Sequence, residues 1–271
     1  MELNNFKYNK KYGQNFIFDT NLLNAIVCDS GITKEDEVLE IGPGAGTLTK
    51  IIAKYAKKVV SYEIDENLKE ILTENLKEIN NSKIIFKDAL KTDIKEIENN
   101  FDGEYSIIAN LPYYITTPLI FKFIENTQRV KSITVMVQKE VADRLVAKSG
   151  KDYGIITIML DFFGNVRITR NVSRKMFTPM PNVDSAVVNI QIVKNKYDAD
   201  KDMFSKIVHS SFAMRRKTIL NNLSSGLNIS KDEVVTILNN AKIDPSARAE
   251  QLSTIDYVKL ANAYNDFIRQ K

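Results

Sequence analysis

The residues best suited to chemistry are Asn110-Leu111-Pro112-Tyr113. An adenine amino nitrogen is a poor nucleophile, because its lone pair delocalises into the ring. Acceptors that take its N–H hydrogens pull it towards tetrahedral geometry and free that lone pair. The Asn110 side-chain oxygen and the Leu111 carbonyl are suitable acceptors. Pro112 has no N–H and stiffens the turn, and Tyr113 offers a flat face on which a splayed base can stack. Attack on an activated sulfonium methyl is an in-line displacement, so the protein mainly has to position the nucleophile. No metal and no strong base is required. That suits a chain of 271 residues with one histidine, His209, and one cysteine, Cys28. Neither a disulfide within the chain nor a Cys/His metal site can be assembled from these, and a Ser-His-Asp triad could use only His209, with no G-x-S-x-G nucleophile elbow in the sequence.

A methyl donor needs a site of its own. Glu40-Ile41-Gly42-Pro43-Gly44-Ala45-Gly46 lies where a short apolar run meets a helical pattern. Glycines at 42 and 44 permit a tight turn and a close ligand. The spacing is G-x-G-x-G, with Thr47 where a dinucleotide fingerprint carries its third glycine, which argues against a nicotinamide cofactor. Glu63 ends the next apolar run and can accept from both ribose hydroxyls. Asp88 follows the third and can accept from the exocyclic amine of an adenine. Glycine loop, ribose acid and adenine acid on successive strand ends point to S-adenosylmethionine.

The elements that must position these residues follow from periodicity. Strands are predicted at 38–41, 58–63, 83–87, 105–109 and 132–137, alternating with helical stretches at 47–55, after Asp65, at 118–125 and at 139–147. Gly154 to Phe163 and Ser185 to Val193 read as two further strands, pairing antiparallel at the sheet edge. This alternation predicts an α/β fold: a Rossmann-like, mainly parallel sheet with an antiparallel edge strand. Together with the methyl-donor residues above, it reads as a class I methyltransferase sheet. The charged stretch 194–201 reads as a linker. Beyond it, helical patterns at 203–222, 231–241 and 254–269 predict a small all-helical domain. The expected division is thus 1–195, a methyltransferase domain, and 196–271, a helical domain to which the charge pattern below adds contact with RNA.

Charge points to the acceptor. The net charge is only +4, but three stretches hold cations and no acid. They are 3–18 with Lys7, Lys10 and Lys11; 162–183 with Arg167, Arg170, Arg174 and Lys175; and 203–231 with Lys206, Arg215, Arg216, Lys217 and Lys231. Such a distribution suits a polyanion. Phe177 stands in the second stretch and suits stacking of an extruded base. The N-terminus lacks the apolar core of a signal peptide, and no apolar run approaches the ~18 residues of a membrane span, so a cytoplasmic protein is expected.

With these features in place, the chain resembles the KsgA-type ribosomal RNA adenine dimethyltransferases over nearly its whole length. Lys11-Tyr12-Gly13-Gln14-Asn15-Phe16 is similar to that family's K-x-x-G-Q-N-F, and Glu40 to Gly46 to its E-I-G-P-G-x-G. The segment 110–118 is similar to its N-L-P-Y motif, Gln138 to Ala142 to its Q-K-E-V-A, Phe177 to Ser185 to its F-x-P-x-P-x-V-D-S, and Phe212 with Arg215-Arg216-Lys217 to its F-x-x-R-R-K. The resemblance implies a substrate, two adjacent adenosines in a hairpin near the 3′ end of 16S ribosomal RNA, each dimethylated on its amino nitrogen within a small subunit or its precursor. It implies cofactor contacts from Gln14, Asn15, Ile17, Gly42, Gly44, Glu63, Asp88 and Asn110; the family usually has leucine at Ile17. It implies stacking by Tyr113 and Phe177. The basic stretches add expected RNA contacts from Lys10, Lys11, Arg174, Lys175, Arg215, Arg216 and Lys217, the chemistry calls for no metal, and a monomer is expected. Two rivals stay open: the related large-subunit enzymes of the macrolide-resistance type, and a non-catalytic ribosome assembly factor on the same fold.

Overall fold

The computed structural model describes residues 16–148, 150 and 152–270. In chain order it runs through β1 (Phe16–Ile17), α1 (Thr20–Ser30), β2 (Glu37–Ile41), α2 (Thr47–Tyr55), β3 (Lys58–Glu63), α3 (Lys69–Leu76), β4 (Ser82–Phe86), α4 (Ile94–Glu98), β5 (Tyr105–Asn110), α5 (Thr116–Asn126), β6 (Val130–Gln138) and α6 (Lys139–Leu145). It continues through α7 (Ile155–Phe163), β7 (Gly164–Val172), β8 (Phe177–Thr178), β9 (Ser185–Ile192), α8 (Lys201–Ser211), α9 (Ile219–Leu227), α10 (Lys231–Asn240) and α11 (Thr254–Arg269).

Seven strands form one sheet in the order β4-β3-β2-β5-β6-β9-β7. Neighbours from β4 to β6 are parallel, and β9 returns antiparallel to β6. The central strands are apolar and buried on both faces: all of Val38, Leu39, Val59, Val60, Ile107 and Ile108 are fully shielded, as a sheet covered by helices on both sides requires. β1 and β8 make a separate two-stranded ladder that pairs Ile17 with Phe177. This is the Rossmann-like architecture expected of the sequence.

Two compact units emerge. One holds the chain up to Asp143 together with Val166–Ile192; the other holds Arg144–Asn165 and the chain from Val193 onwards. The segment Arg144–Asn165 thus clusters with the C-terminal helices, whereas the expected division placed it within 1–195.

Two expectations need correcting. The run 154–163 is not a strand but helix α7. It is apolar almost all round, with Ile156, Ile158, Met159, Leu160 and Phe162 all buried. Without a polar stripe, periodicity cannot separate a buried helix from a buried strand. Tertiary packing decides: α7 packs on α8 and α11, and Phe162 stacks on Phe204 with ring centroids 3.8 Å apart. The edge strand is instead β7. The second correction concerns 203–222, which is two helices. The buried positions Phe204, Ile207, Val208 and Ser211 and then Ile219, Asn222 and Leu223 stay in helical phase across the break, so the pattern conceals it. Local hydrogen bonds end the first helix and start the second. Thr218 caps α9, and the buried Asn222 amide donates to the Ser211 and Met214 carbonyls and accepts from the Met214 N–H.

All three glycines of the loop between β2 and α2 have positive φ, and two of them are also crowded. Gly44 has φ +57, and a Cβ there would lie 2.8 Å from the Phe16 ring. Gly46, at φ +80, starts α2, and its vacant side-chain space is filled by Leu72 and Leu76 of α3 at 3.2 Å. Gly46→Ala combines left-handed strain with crowding and should lower the unfolding free energy by about 1–2 kcal/mol. Denaturant titration of the full chain checks this; an unchanged midpoint would contradict it.

Candidate active site

The parallel register brings four strand ends to one edge. Ile41 on β2 lies beside Tyr62 on β3 and Ala109 on β5, and Glu63 lies beside Phe86 on β4. The residues just past those ends line one pocket: Gly42 and Gly44 after β2, Glu63 at the end of β3, Asp88 after β4, and Asn110, Leu111, Pro112 and Tyr113 at and after β5. Phe16, Ile17 and Phe177 line it as well. This is the carboxyl edge at which open α/β sheets bind ligands.

Glu63 is the anchor of the loop. Its side chain is 4% exposed. One carboxylate oxygen accepts from the Ile64 and Asp65 N–H groups, each at 2.8 Å, and the other from the Gly44 N–H at 3.2 Å. Burial raises its pKa, and the three backbone donors oppose that rise. A carboxylate oxygen has two lone pairs, so the oxygen facing Gly44 can still accept from a ligand hydroxyl. Asp88 is more open, with its side chain 26% exposed. Its Oδ1 accepts from the Leu90 N–H at 2.9 Å.

Glu40 lies beneath the loop, within β2 and fully buried. Its Oε2 accepts from Thr49 Oγ1 at 2.6 Å and Ser61 Oγ at 2.7 Å, while Oε1 has no partner. Burial, with some help from the charge of Glu63, pushes its pKa up to about 7 despite those two hydroxyl donors. The residue ties β2 to β3 and α2. Its role is not apparent in the sequence, where it is one acid among many at the start of a glycine loop.

At the β5 end, Asn110 is partly buried and Leu111 is 3% exposed. The Tyr113 hydroxyl shares a 2.9 Å hydrogen bond with Ser185 Oγ at the start of β9. Burial raises the Tyr113 pKa, and the bond to Ser185 partly offsets it. Ser185 therefore orients the ring. Nothing local in the sequence gives Ser185 this task, since only the antiparallel return of β9 beside β6 brings it here. Tyr114, next in the chain, also lines the pocket and is 63% exposed.

Phe177 lines the pocket but is 4% exposed and belongs to a core cluster with Ile17 and Val172. Its ring is packed as an anchor of the β1–β8 ladder. The basic stretches are also partly committed. Arg170 makes a two-pronged pair with Asp29, both contacts at 3.2 Å. Arg174 donates to the Asn182 carbonyl at 2.9 Å, while Lys175 is exposed. Arg215, Arg216 and Lys217 are all exposed. They sit in the loop between α8 and α9 that Asn222 fastens, and not on a helix face. Gln14, Asn15, Lys10 and Lys11 lie outside the described residues.

Comparison with known proteins bears on this site. Residues 5–266 match the family described as ribosomal RNA adenine dimethylase. The chain is 44% identical to the ribosomal RNA small subunit methyltransferase A of Clostridioides difficile, over 98% of this chain and 94% of that protein. It is 45% identical to the protein of the same name from Bacillus cereus, over 95% of this chain and 91% of that one. Among solved structures it is similar to a dimethyladenosine transferase from Plasmodium falciparum, with TM-score 0.76 and 27% identity over 93% of this chain and 98% of that chain. The chain belongs to the ribosomal RNA adenine dimethylase family and is an enzyme that methylates ribosomal RNA.

Proposed function

We propose that the chain transfers methyl groups from S-adenosylmethionine to the amino nitrogens of two adjacent adenosines in a hairpin near the 3′ end of 16S ribosomal RNA, two groups to each, within a small subunit or its precursor. The observation that carries this is a single pocket holding Gly42, Gly44, Glu63, Asp88 and Asn110 to Tyr113. Its donor set suits the cofactor. Glu63 offers a lone pair to ribose hydroxyls, Asp88 offers an acceptor to an adenine amine, and Ile17 closes the apolar side. S-adenosylmethionine supplies an activated methyl when bound. The protein's own task is then positional. Asn110 and the Leu111 carbonyl take the amine hydrogens, and Tyr113, held by Ser185, supports the base.

The small-subunit substrate rests on the names of the relatives and on the motif Asn110-Leu111-Pro112-Tyr113 followed by Tyr114. Residues 1–195 would carry the transfer and 196–271 RNA contacts, through Arg215, Arg216 and Lys217; Lys10, Lys11, Arg174 and Lys175 would add contacts from the first of these. Phe177 acts at most as the floor of the base site, since its ring is buried. The exposed Tyr114 is better placed for an adjoining base. The protein would work as a monomer in the cytoplasm; no helix among the described residues is long and apolar enough to cross a membrane.

Incubation with labelled S-adenosylmethionine and unmethylated small subunits should place label in dimethyladenosine of the small-subunit RNA. Label confined to large-subunit RNA would overturn the substrate, and binding without transfer would favour an assembly factor. Asn110→Ala should lower kcat by about a hundredfold or more, with RNA affinity within about twofold by filter binding. Arg215→Ala/Arg216→Ala should weaken RNA binding and reduce the slope of log K against log salt by about one for each phosphate that is no longer paired. A slope equal to that of the parent protein would remove the two arginines from the interface.

A further inference from the structure

Asp88 lies in a turn that the pocket needs but the sheet does not hold. β4 ends at Phe86, and the next element, α4, starts at Ile94. Between them Lys87, Asp88, Ala89 and Leu90 line the pocket. The turn has some internal bonding. The Asp88 carbonyl accepts from the Lys91 and Thr92 N–H groups at 3.1 and 2.9 Å and from Thr92 Oγ1 at 2.8 Å. That bonding gives the turn its shape but does not join it to the rest of the site.

The join comes from Lys122, in α5. Its ammonium donates to the carbonyls of Ala89 at 2.8 Å and Leu90 at 2.9 Å, and to that of Thr92. An ammonium has three N–H donors, so all three are directed at one turn. α5 is also the helix that follows Asn110 to Tyr113, entered through the single turn Tyr113–Ile115 in which that segment ends. One side chain therefore couples the segment that would receive the substrate amine to the turn presenting Asp88. Burial lowers the Lys122 pKa, and the charges of Asp88 and Asp93 oppose that fall only in part. A second cation near Asp88 is Lys91 at 3.8 Å, with its side chain 86% exposed, and such a surface pair contributes little.

We infer that Lys122 is a positioning residue of the cofactor site, holding the turn 88–92 so that the Asp88 carboxylate stays at the adenine end of the pocket. This rests on the assignment of Asp88 to the cofactor adenine. Lys122 touches neither cofactor nor substrate; it acts through the three carbonyls. Losing its charge-assisted bonds frees the turn, and the effect falls on cofactor affinity before it falls on the methyl transfer itself.

The test is calorimetric titration of the full chain with S-adenosylmethionine, without RNA, for Lys122→Met, Asp88→Asn and the double variant. Lys122→Met should weaken binding about tenfold, and the double variant should be no weaker than Asp88→Asn alone, because both changes remove the same interaction. In turnover, the loss should sit in KM for the cofactor and not in kcat, and Lys122→Arg, which keeps the donors, should recover most of it. Wild-type affinity in Lys122→Met, or losses that simply add in the double variant, would overturn the inference while leaving Asp88 in place. Unchanged affinity in Asp88→Asn would instead overturn the assignment of Asp88, and this inference with it. Should Lys122→Met yield no folded protein, Lys122→Gln, which retains two N–H donors, serves for the same cycle.

Discussion

Everything at the site depends on the parallel register of β4, β3, β2 and β5. In a parallel ladder the carboxyl ends of neighbouring strands fall on the same edge. Here that edge collects Gly42, Glu63, Asp88 and Asn110 although they are spread over 69 positions of the chain. A slip of one residue in any strand would turn its side chains to the opposite face. The register is held by fully buried branched residues on the central strands, so the geometry of the site is a consequence of core packing.

Two buried carboxylates then shape the loop over that edge, each by a different route. Glu63 is desolvated but compensated by three backbone N–H groups, which keeps a polar group available deep in the site. Glu40 is desolvated with only two hydroxyl donors and one oxygen unpartnered. Its raised pKa follows from that shortage. The first carboxylate can meet a ligand; the second holds strands and helix together beneath it. The same kind of residue, one strand apart, thus performs separate tasks because the number of donors around it differs.

The aromatic and basic residues divide in a similar way. Tyr113 is fixed through Ser185, Tyr114 is left in solvent, and Phe177 is absorbed by the core. Arg170 is neutralised by Asp29, whereas Arg215, Arg216 and Lys217 are presented on a loop that a buried asparagine closes. Composition alone counts all of these alike. Partners, which only the fold supplies, determine which remain open at the surface.

The sequence by itself determined the fold class, most strand and helix positions, the glycine loop, the two acids and the Asn110 motif. Each of these is a local signal: an apolar run of strand length, a glycine where φ is positive, an acid just past a strand. It also determined the family, because its motifs are ordered along the chain. Only the tertiary structure decided that 155–163 is a helix, since an all-apolar run has no face to betray its period. It alone decided that 203–222 breaks, since the buried positions stay in phase across the loop. It alone brought Ser185 to Tyr113 and Lys122 to the turn after β4, because those hydrogen bonds join residues 72 and 30 to 33 positions apart. Long-range hydrogen bonds leave no periodic trace in a chain, and the positioning of this site is made of them.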